Sequence, residues 1–408
     1  MRCITLNYGA DDPLILEVDD DALVGDFRGP EGVVGMAARQ LVTTTVAAPP
    51  DGPPLELHVV PGDRVAVALA GDVPQAAEVV AAVVERLAGA GVEPNDIVVV
   101  QAPATEARAG ATPRPLVAVP AGGTMAEFDP GAEPQTSYVA ADAEGRPIHL
   151  ARPLVDADVV VAIGGWGYDA AFGGRSIEGE LWPAFSRRSC RQDLVRSLAR
   201  RGRRTLAGWR TSNDEATWQL GVCASLRLVS GRGDSLTAAA FGIPPAAARQ
   251  ARTLAAGWSP RVPAAAMLSV ASLSDHRGGL AMLLRAVAAA ARVTHSTGTV
   301  CVASRLTEQP GVIFSRWREG APLEPLVREA VGTGDPVLVA DAFQTRFFAR
   351  ALGDRRLVLL SDLAADVVEQ LELGHAAKPE VVERLAHRAA SVTVLQEADR
   401  MLPRLAER

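Results

Sequence analysis

The sequence predicts an α/β protein of two Rossmann-like, three-layer domains, each built on a mostly parallel sheet, with a cleft between them. Three observations predict this. The Val-rich runs Arg64–Leu69, Asp96–Val100 and Asp158–Ile163 are almost wholly apolar along their length, as in strands covered on both faces. A helix-patterned stretch, Pro74–Ala88, separates the first two and makes them a βαβ unit of the doubly wound kind. Finally, 408 residues exceed what a single core usually supports.

Taken in order, residues 1–55 read as short strands and loops, Cys3–Asn7 and Pro13–Val18 among them, ending at the Pro-rich joint Pro49–Pro54. After the βαβ unit, Gln101–Gln135 is rich in Ala, Pro, Gly and Thr and has no periodicity, so a long loop at the carboxyl end of a strand is expected. Thr136–Ala140 and Pro147–Leu150 read as short strands and Asp158–Ile163 as a buried one. Arg187–Arg204 reads as an arginine-crowded helix that faces either solvent or an anionic partner, and Val222–Val229 as a further strand. Arg232-Gly233-Asp234 reads as a turn. The alternation restarts after Pro263 with the strand Ala265–Val270, the helix Gly279–Ala291, the strand Thr299–Ala303 and the helix Leu323–Val331. It continues through Pro336–Ala340, Phe343–Leu352, Arg356–Leu360, Ala364–Leu371 and Pro379–His387, and ends in the strand Ser391–Leu395 and a short tail helix. The expected division is a first domain of residues 1–263, to which 391–408 return, and a second of 264–390.

Composition bounds the function. With 48% hydrophobic and 22% charged residues and a net charge of −7, the chain has the material for large cores and no electrostatic case for nucleic acid. No apolar run reaches the ~20 residues that span a bilayer, and Met1–Leu6 opens into a strand with no signal-like segment behind it, so a cytoplasmic protein is expected. The four cysteines form no CxxC pair, and the six histidines show no metal-binding spacing. No metal ligands are therefore assigned. Lysine occurs once, at Lys378, so any chemistry needing an amine has one candidate.

The central stretch is Leu154–Pro183. Past its buried strand, Gly164, Gly165 and Gly167 free the backbone to turn. Gly173, Gly174, Arg175 and Ser176 then offer amides beside a guanidinium and a hydroxyl. That group reads either as an anion cradle or as a plain strand-to-helix turn. Gly165-x-Gly167-x-x-Ala170 matches the dinucleotide fingerprint only formally, because Gly173, Gly174 and Gly179 interrupt the helix that should follow. Asp72 follows the first buried strand, as a ligand-binding carboxylate or a helix cap. His276, in Asp275-His276-Arg277-Gly278-Gly279 before a helix, is the best general-base candidate.

The order of these elements, with Val155-Asp156-Ala157-Asp158-Val159-Val160-Val161, Phe172-Gly173-Gly174-Arg175, Gly298-Thr299-Val300 and Phe343–Arg350 leading into Leu357–Leu363, resembles the nickel-dependent lactate racemase family. The likeness extends over nearly the whole chain. It implies a nickel-pincer nucleotide between two domains, and racemisation or epimerisation of a 2-hydroxy acid or sugar carbon by hydride capture and return. It also implies two histidines as alternating acid and base, a further histidine on nickel, and a lysine after G-G-R that tethers the cofactor.

The sequence departs from that pattern where the chemistry is concentrated. Gln101-Ala102-Pro103-Ala104 stands where the family has G-x-H-R-P, and Asp72-Val73-Pro74 keeps the acid of D-x-x-R-P without its arginine. Ser176 takes the lysine position, Tyr168-Asp169-Ala170-Ala171 lacks the histidine before the turn, and Ala288 stands at or near the second-domain lysine. A guanidinium stays protonated and cannot replace a tethering amine. The expectation is therefore a divergent member that binds a small anionic or nucleotide-like ligand in the cleft through Asp72, Gly173, Gly174, Arg175 and Ser176. Asp72, Tyr168, Asp169, His276 and Arg346 are the candidates for acid, base and anion clamp. The alternative is a non-catalytic ligand-binding or partner protein that has lost the nickel-pincer site; a homo-oligomer is compatible with either.

Overall fold

The computed structural model describes residues 1–71, 73–102, 117–119, 122–132, 135–142, 145–175 and 181–406. Two six-stranded sheets organise it, each layered with helices. In the first, Leu236–Gly242, Ala224–Ser230, Val159–Gly165, Val65–Leu69, Ile97–Gln101 and Thr124–Glu127 lie side by side in that order, parallel except for Leu236–Gly242. Val65–Leu69 is buried at every position and sits inside the sheet, whereas Thr124–Glu127 is partly exposed and forms an edge. This edge strand lies within the stretch expected as a long loop. The chain runs outward from Val65–Leu69 to one side and then returns to Val159–Gly165 on the other. The direction of winding therefore reverses between these two strands, above Ala70-Gly71 and Gly165-Trp166.

The second sheet is parallel throughout, in the order Gly374–His375, Arg356–Leu360, Thr294–Ala303, Ala266–Ser272, Val392–Leu395 and Leu23–Phe27. Its winding reverses between Ala266–Ser272 and Val392–Leu395, at the carboxyl ends marked by Ser272 and Gln396. Of the segment 391–408 expected to return to the first domain, the strand Val392–Leu395 instead joins this sheet, while Arg404–Leu405 pairs with Arg261–Val262. Val392–Leu395 is buried at all four positions and pairs with Ala266–Ser272, inside a sheet covered on both faces. The N-terminal hairpin, Arg2–Leu6 with Leu14–Val18, also joins this lobe. Leu14, Leu16 and Val18 alternate inward and share a core with Leu268, Val270, Val392 and Val394.

Several helices depart from expectation. Met36–Ala47 forms a helix in a region read as strands and loops, Leu206–Gln219 and Pro244–Leu254 are additional helices, and Pro336–Leu352 is one helix where two segments were read. The expected tail helix is a single 3₁₀ turn, Ala398–Arg400, followed by the short strand Arg404–Leu405 paired with Arg261–Val262. Among the described residues no helix is long and apolar enough to cross a membrane.

The lobes meet through an apolar seam. Phe172 from the first stacks on Phe343 of the second, with ring centroids 6.1 Å apart and planes at 8°, and meets Phe347 edge-on at 5.2 Å. Leu194 and Leu198 of the helix Arg188–Arg201 bury into the same cluster as Leu283 and Phe348.

Candidate functional site

The turn after Val159–Gly165 is a short antiparallel pairing, with Tyr168 opposite Arg175 and Asp169 opposite Gly174. Asp169 is 1% exposed, and its Oδ2 accepts a 2.7 Å bond from Nε of Arg285, on the second-lobe helix Leu280–Ala291. Its Oδ1 accepts the amide of Ala171 at 2.9 Å. Nε of Arg203 donates to the carbonyl of Ala171 at 2.8 Å, and Gly173 donates its own amide to Ala170 at 3.1 Å. Gly173 has φ +74°, and a Cβ there would meet the Arg203 guanidinium at 2.9 Å, so this position requires glycine.

Arg175 is half-buried; burial lowers its pKa against the opposing charge of Asp214, and its carbonyl accepts from Nη2 of Arg210 at 2.9 Å. Tyr168 lies edge-on to Trp166 at 5.2 Å. The turn thus joins the two lobes, with the Gly173 amide engaged inside it. Ser176 and Asp72 lie outside the described residues.

Arg346 also holds elements together. Its Nη1 donates to the carbonyls of Ala199 and Arg200 at 2.6 and 2.8 Å, at the C-terminal end of Arg188–Arg201, and its Nη2 reaches Glu324 at 3.1 Å. Cations are favourable at a helix C-terminus, whose last carbonyls lack partners. Asp169 and Arg346, expected as acid, base or clamp, are instead bound to partners far away in sequence.

His276 stands differently. It lies between the strand Ala266–Ser272 and the helix Leu280–Ala291, just past the carboxyl edge of the second sheet where its winding reverses, the place at which open α/β sheets hold ligands. It lines a cleft of about 450 Å³ together with Ser272, Gln396 and Glu397 of that edge and Arg232 of the first lobe. Its Nδ1 is buried with no hydrogen-bond partner. Burial holds the imidazole below its ordinary pKa, against the opposing charges of Asp275 and Asp399, so the neutral form is favoured. Above it passes Gly9, at φ +91°, where a Cβ would sit 2.5 Å from that of His276.

Glu397 faces the same cleft. Its carboxylate accepts the amide of Gly233 at 3.0 Å and pairs with Arg400 at 3.3 Å, while burial, the dominant influence, raises its pKa. Its backbone amide donates to Oγ of Ser272 at 3.2 Å. Arg232 pairs with Glu31, whose side chain is 85% exposed. The sequence reading took Arg232-Gly233-Asp234 as a turn only and assigned Glu397 no role. The available signal was position, because residues just past buried strands face the crevice of such sheets.

A cofactor of the resembled family would need a tethering amine and imidazole ligands. The single lysine, Lys378, is exposed at the start of the helix Pro379–Arg388, which packs on the N-terminal hairpin. Among the described residues no three His, Cys, Asp or Glu side chains gather as a metal-binding group. The residues present do not fit the nickel-pincer nucleotide, and no step below passes through it.

No family model matches the chain, and no curated protein matches it in sequence. Among solved structures it is similar to the lactate racemase apoprotein from Thermoanaerobacterium thermosaccharolyticum, with a TM-score of 0.71 at 14% identity over 99% of this chain and 100% of that one. It is also similar to a protein from Thermotoga maritima, with a TM-score of 0.60 at 12% identity over 93% and 100% of the two chains. At these identities the likeness shows the fold, which is lactate racemase-like from end to end.

Proposed function

We propose that this chain is a divergent member of the lactate racemase-like proteins, and that it binds a small hydroxylated organic anion, a 2-hydroxy acid or sugar acid, in the cleft between its lobes. One observation carries the reading: His276, half-buried, lines a cleft at the winding reversal of the second sheet. A neutral imidazole there exchanges a hydrogen bond with a ligand hydroxyl. Arg232, whose present partner Glu31 is exposed and so holds it weakly, is free to turn to a carboxylate.

Calorimetric titration with a panel of 2-hydroxy acids, sugar acids and nucleotides tests this. Saturable binding is expected for a hydroxy or sugar acid, and Arg232→Ala is expected to weaken it by about 1.5–3 kcal/mol, the worth of a charge-assisted contact. Failure of the whole panel to bind, or an unchanged affinity in the variant, defeats the reading.

Catalysis is a second reading, and a specific observation favours it. The cleft carries two titratable groups whose burial moves them toward one another, the imidazole of His276 downward and the carboxyl of Glu397 upward. These directions favour an imidazole that accepts a proton and a carboxyl that holds one more readily than in water. Chiral chromatography of a bound hydroxy acid, with and without His276→Gln, separates turnover from binding alone.

A further inference from the structure

The arginine-crowded helix Arg188–Arg201 has two faces. Leu194 and Leu198 bury toward the second lobe, whereas Cys190, Asp193, Ser197, Arg200 and Arg201 point the other way, into a cavity of about 470 Å³. This cavity lies wholly within the first lobe and shares no lining residue with the cleft of His276. Its volume is within the range of small-ligand pockets.

The charge on its walls is uneven. Among the described residues, Arg146, Arg187, Arg196, Arg200 and Arg201 line it together with Asp142 and Asp193. Asp142 bonds to Arg146 and Asp193 to Arg196, both at 2.6 Å. Arg187 donates to Oγ1 of Thr136 at 3.1 Å. Among the described residues Arg187, Arg200 and Arg201 have no carboxylate partner. Arg187 is half-buried and Arg200 and Arg201 are exposed at the cavity mouth, so an anion entering it meets guanidiniums that no carboxylate among the described residues already holds. A guanidinium presents its donors as a planar fork, which matches phosphate oxygens two at a time.

The facing wall is aromatic. Trp182 and Trp209 stack at 4.7 Å with planes at 19°, and the Arg146 guanidinium lies 5.5 Å over Trp209. The pKa of His149 is lowered, by burial first and then by the charge of Arg187, which favours its neutral form. Cys190 is kept as a thiol, its pKa pushed up by burial to about 11. The walls therefore combine guanidinium donors with the half-buried Trp209 of a stacked aromatic pair.

We propose that this cavity binds a phosphate ester carrying a planar ring, a nucleoside mono- or diphosphate. Its phosphates lie against Arg187, Arg200 and Arg201 and its ring against the Trp182–Trp209 wall. The site is independent of the interlobe cleft.

The test uses the intact protein and tryptophan fluorescence, titrated with AMP, ADP and inorganic phosphate. Saturable quenching by a nucleotide is expected, with inorganic phosphate competing more weakly. The double variant Arg200→Ala/Arg201→Ala is expected to weaken nucleotide binding roughly tenfold or more, and His276→Gln to leave it unchanged. Circular dichroism of the double variant checks that the helix is intact. Absence of quenching, equal affinity for phosphate and nucleotide, an unchanged Kd in the folded double variant, or loss of binding in His276→Gln overturns the proposal.

Discussion

At the scale of single residues, their partners separate the charged groups that hold elements together from those facing a cavity. Asp169 and Arg285 are 1% and 13% exposed, and loss of the carboxylate removes a close counter-charge from a guanidinium in a poorly solvated place. Asp169→Ala is expected to lower stability by about 3–5 kcal/mol, read from denaturant unfolding. His276 gives a prediction with a sign. Its unfolded pKa is about 6.5, and burial places the folded value lower. Between the two the unfolded chain binds more protons, so stability falls as pH drops through that window and levels off below the folded pKa. His58 and His149 are shifted in the same direction, so the His276 share is the difference between wild type and His276→Gln. An identical pH profile for the two proteins would assign His276 no such part.

The sequence placed His276 at a turn past a strand, and there it lies. It offered no means of seeing that Asp169 pairs with a residue 116 positions away. An aspartate before glycines reads the same whether it meets a ligand or a distant guanidinium.

At the scale of elements, the buried parallel strands were legible because unbroken valine runs have few other uses. The helix Met36–Ala47 was not, since Val42-Thr43-Thr44-Thr45-Val46 is β-branched and favours strands. What holds it helical is packing of Ala38, Val42 and Val46, a stripe at four-residue spacing that is fully buried. Pro336–Leu352 was read as two segments around Asp341. That carboxylate turns outward and accepts the amide of Ile313 at 2.6 Å, at the start of the helix Val312–Arg318, so a residue resembling a break serves its neighbour. The turn at Gly173 makes a further expectation. Gly173→Ala combines positive φ with a close approach to Arg203 and is expected to cost about 1–3 kcal/mol, seen as a lower Tm. An unchanged Tm would show that the turn can relax.

At the scale of the whole molecule, the lobes are joined by the Phe172, Phe343 and Phe347 cluster together with the Asp169–Arg285 pair. Phe172→Ala is expected to destabilise by about 3–5 kcal/mol. Limited proteolysis should then cut more readily between the lobes, and a pattern like that of the wild type would place the holding contacts elsewhere. Two α/β lobes were readable from the alternation of runs, and the cleft between them from the resemblance. The partnership of the chain's far ends was not, because strand order within a sheet depends on contacts that no local pattern encodes.

Leu23–Phe27 lies beside Val392–Leu395 at the margin of the second sheet. During synthesis the earlier segment emerges hundreds of residues before its neighbour, so it must wait unpaired while the first sheet, complete by Gly242, is able to form. The second lobe is thus begun first and finished last, and translation itself schedules the closing of the crevice.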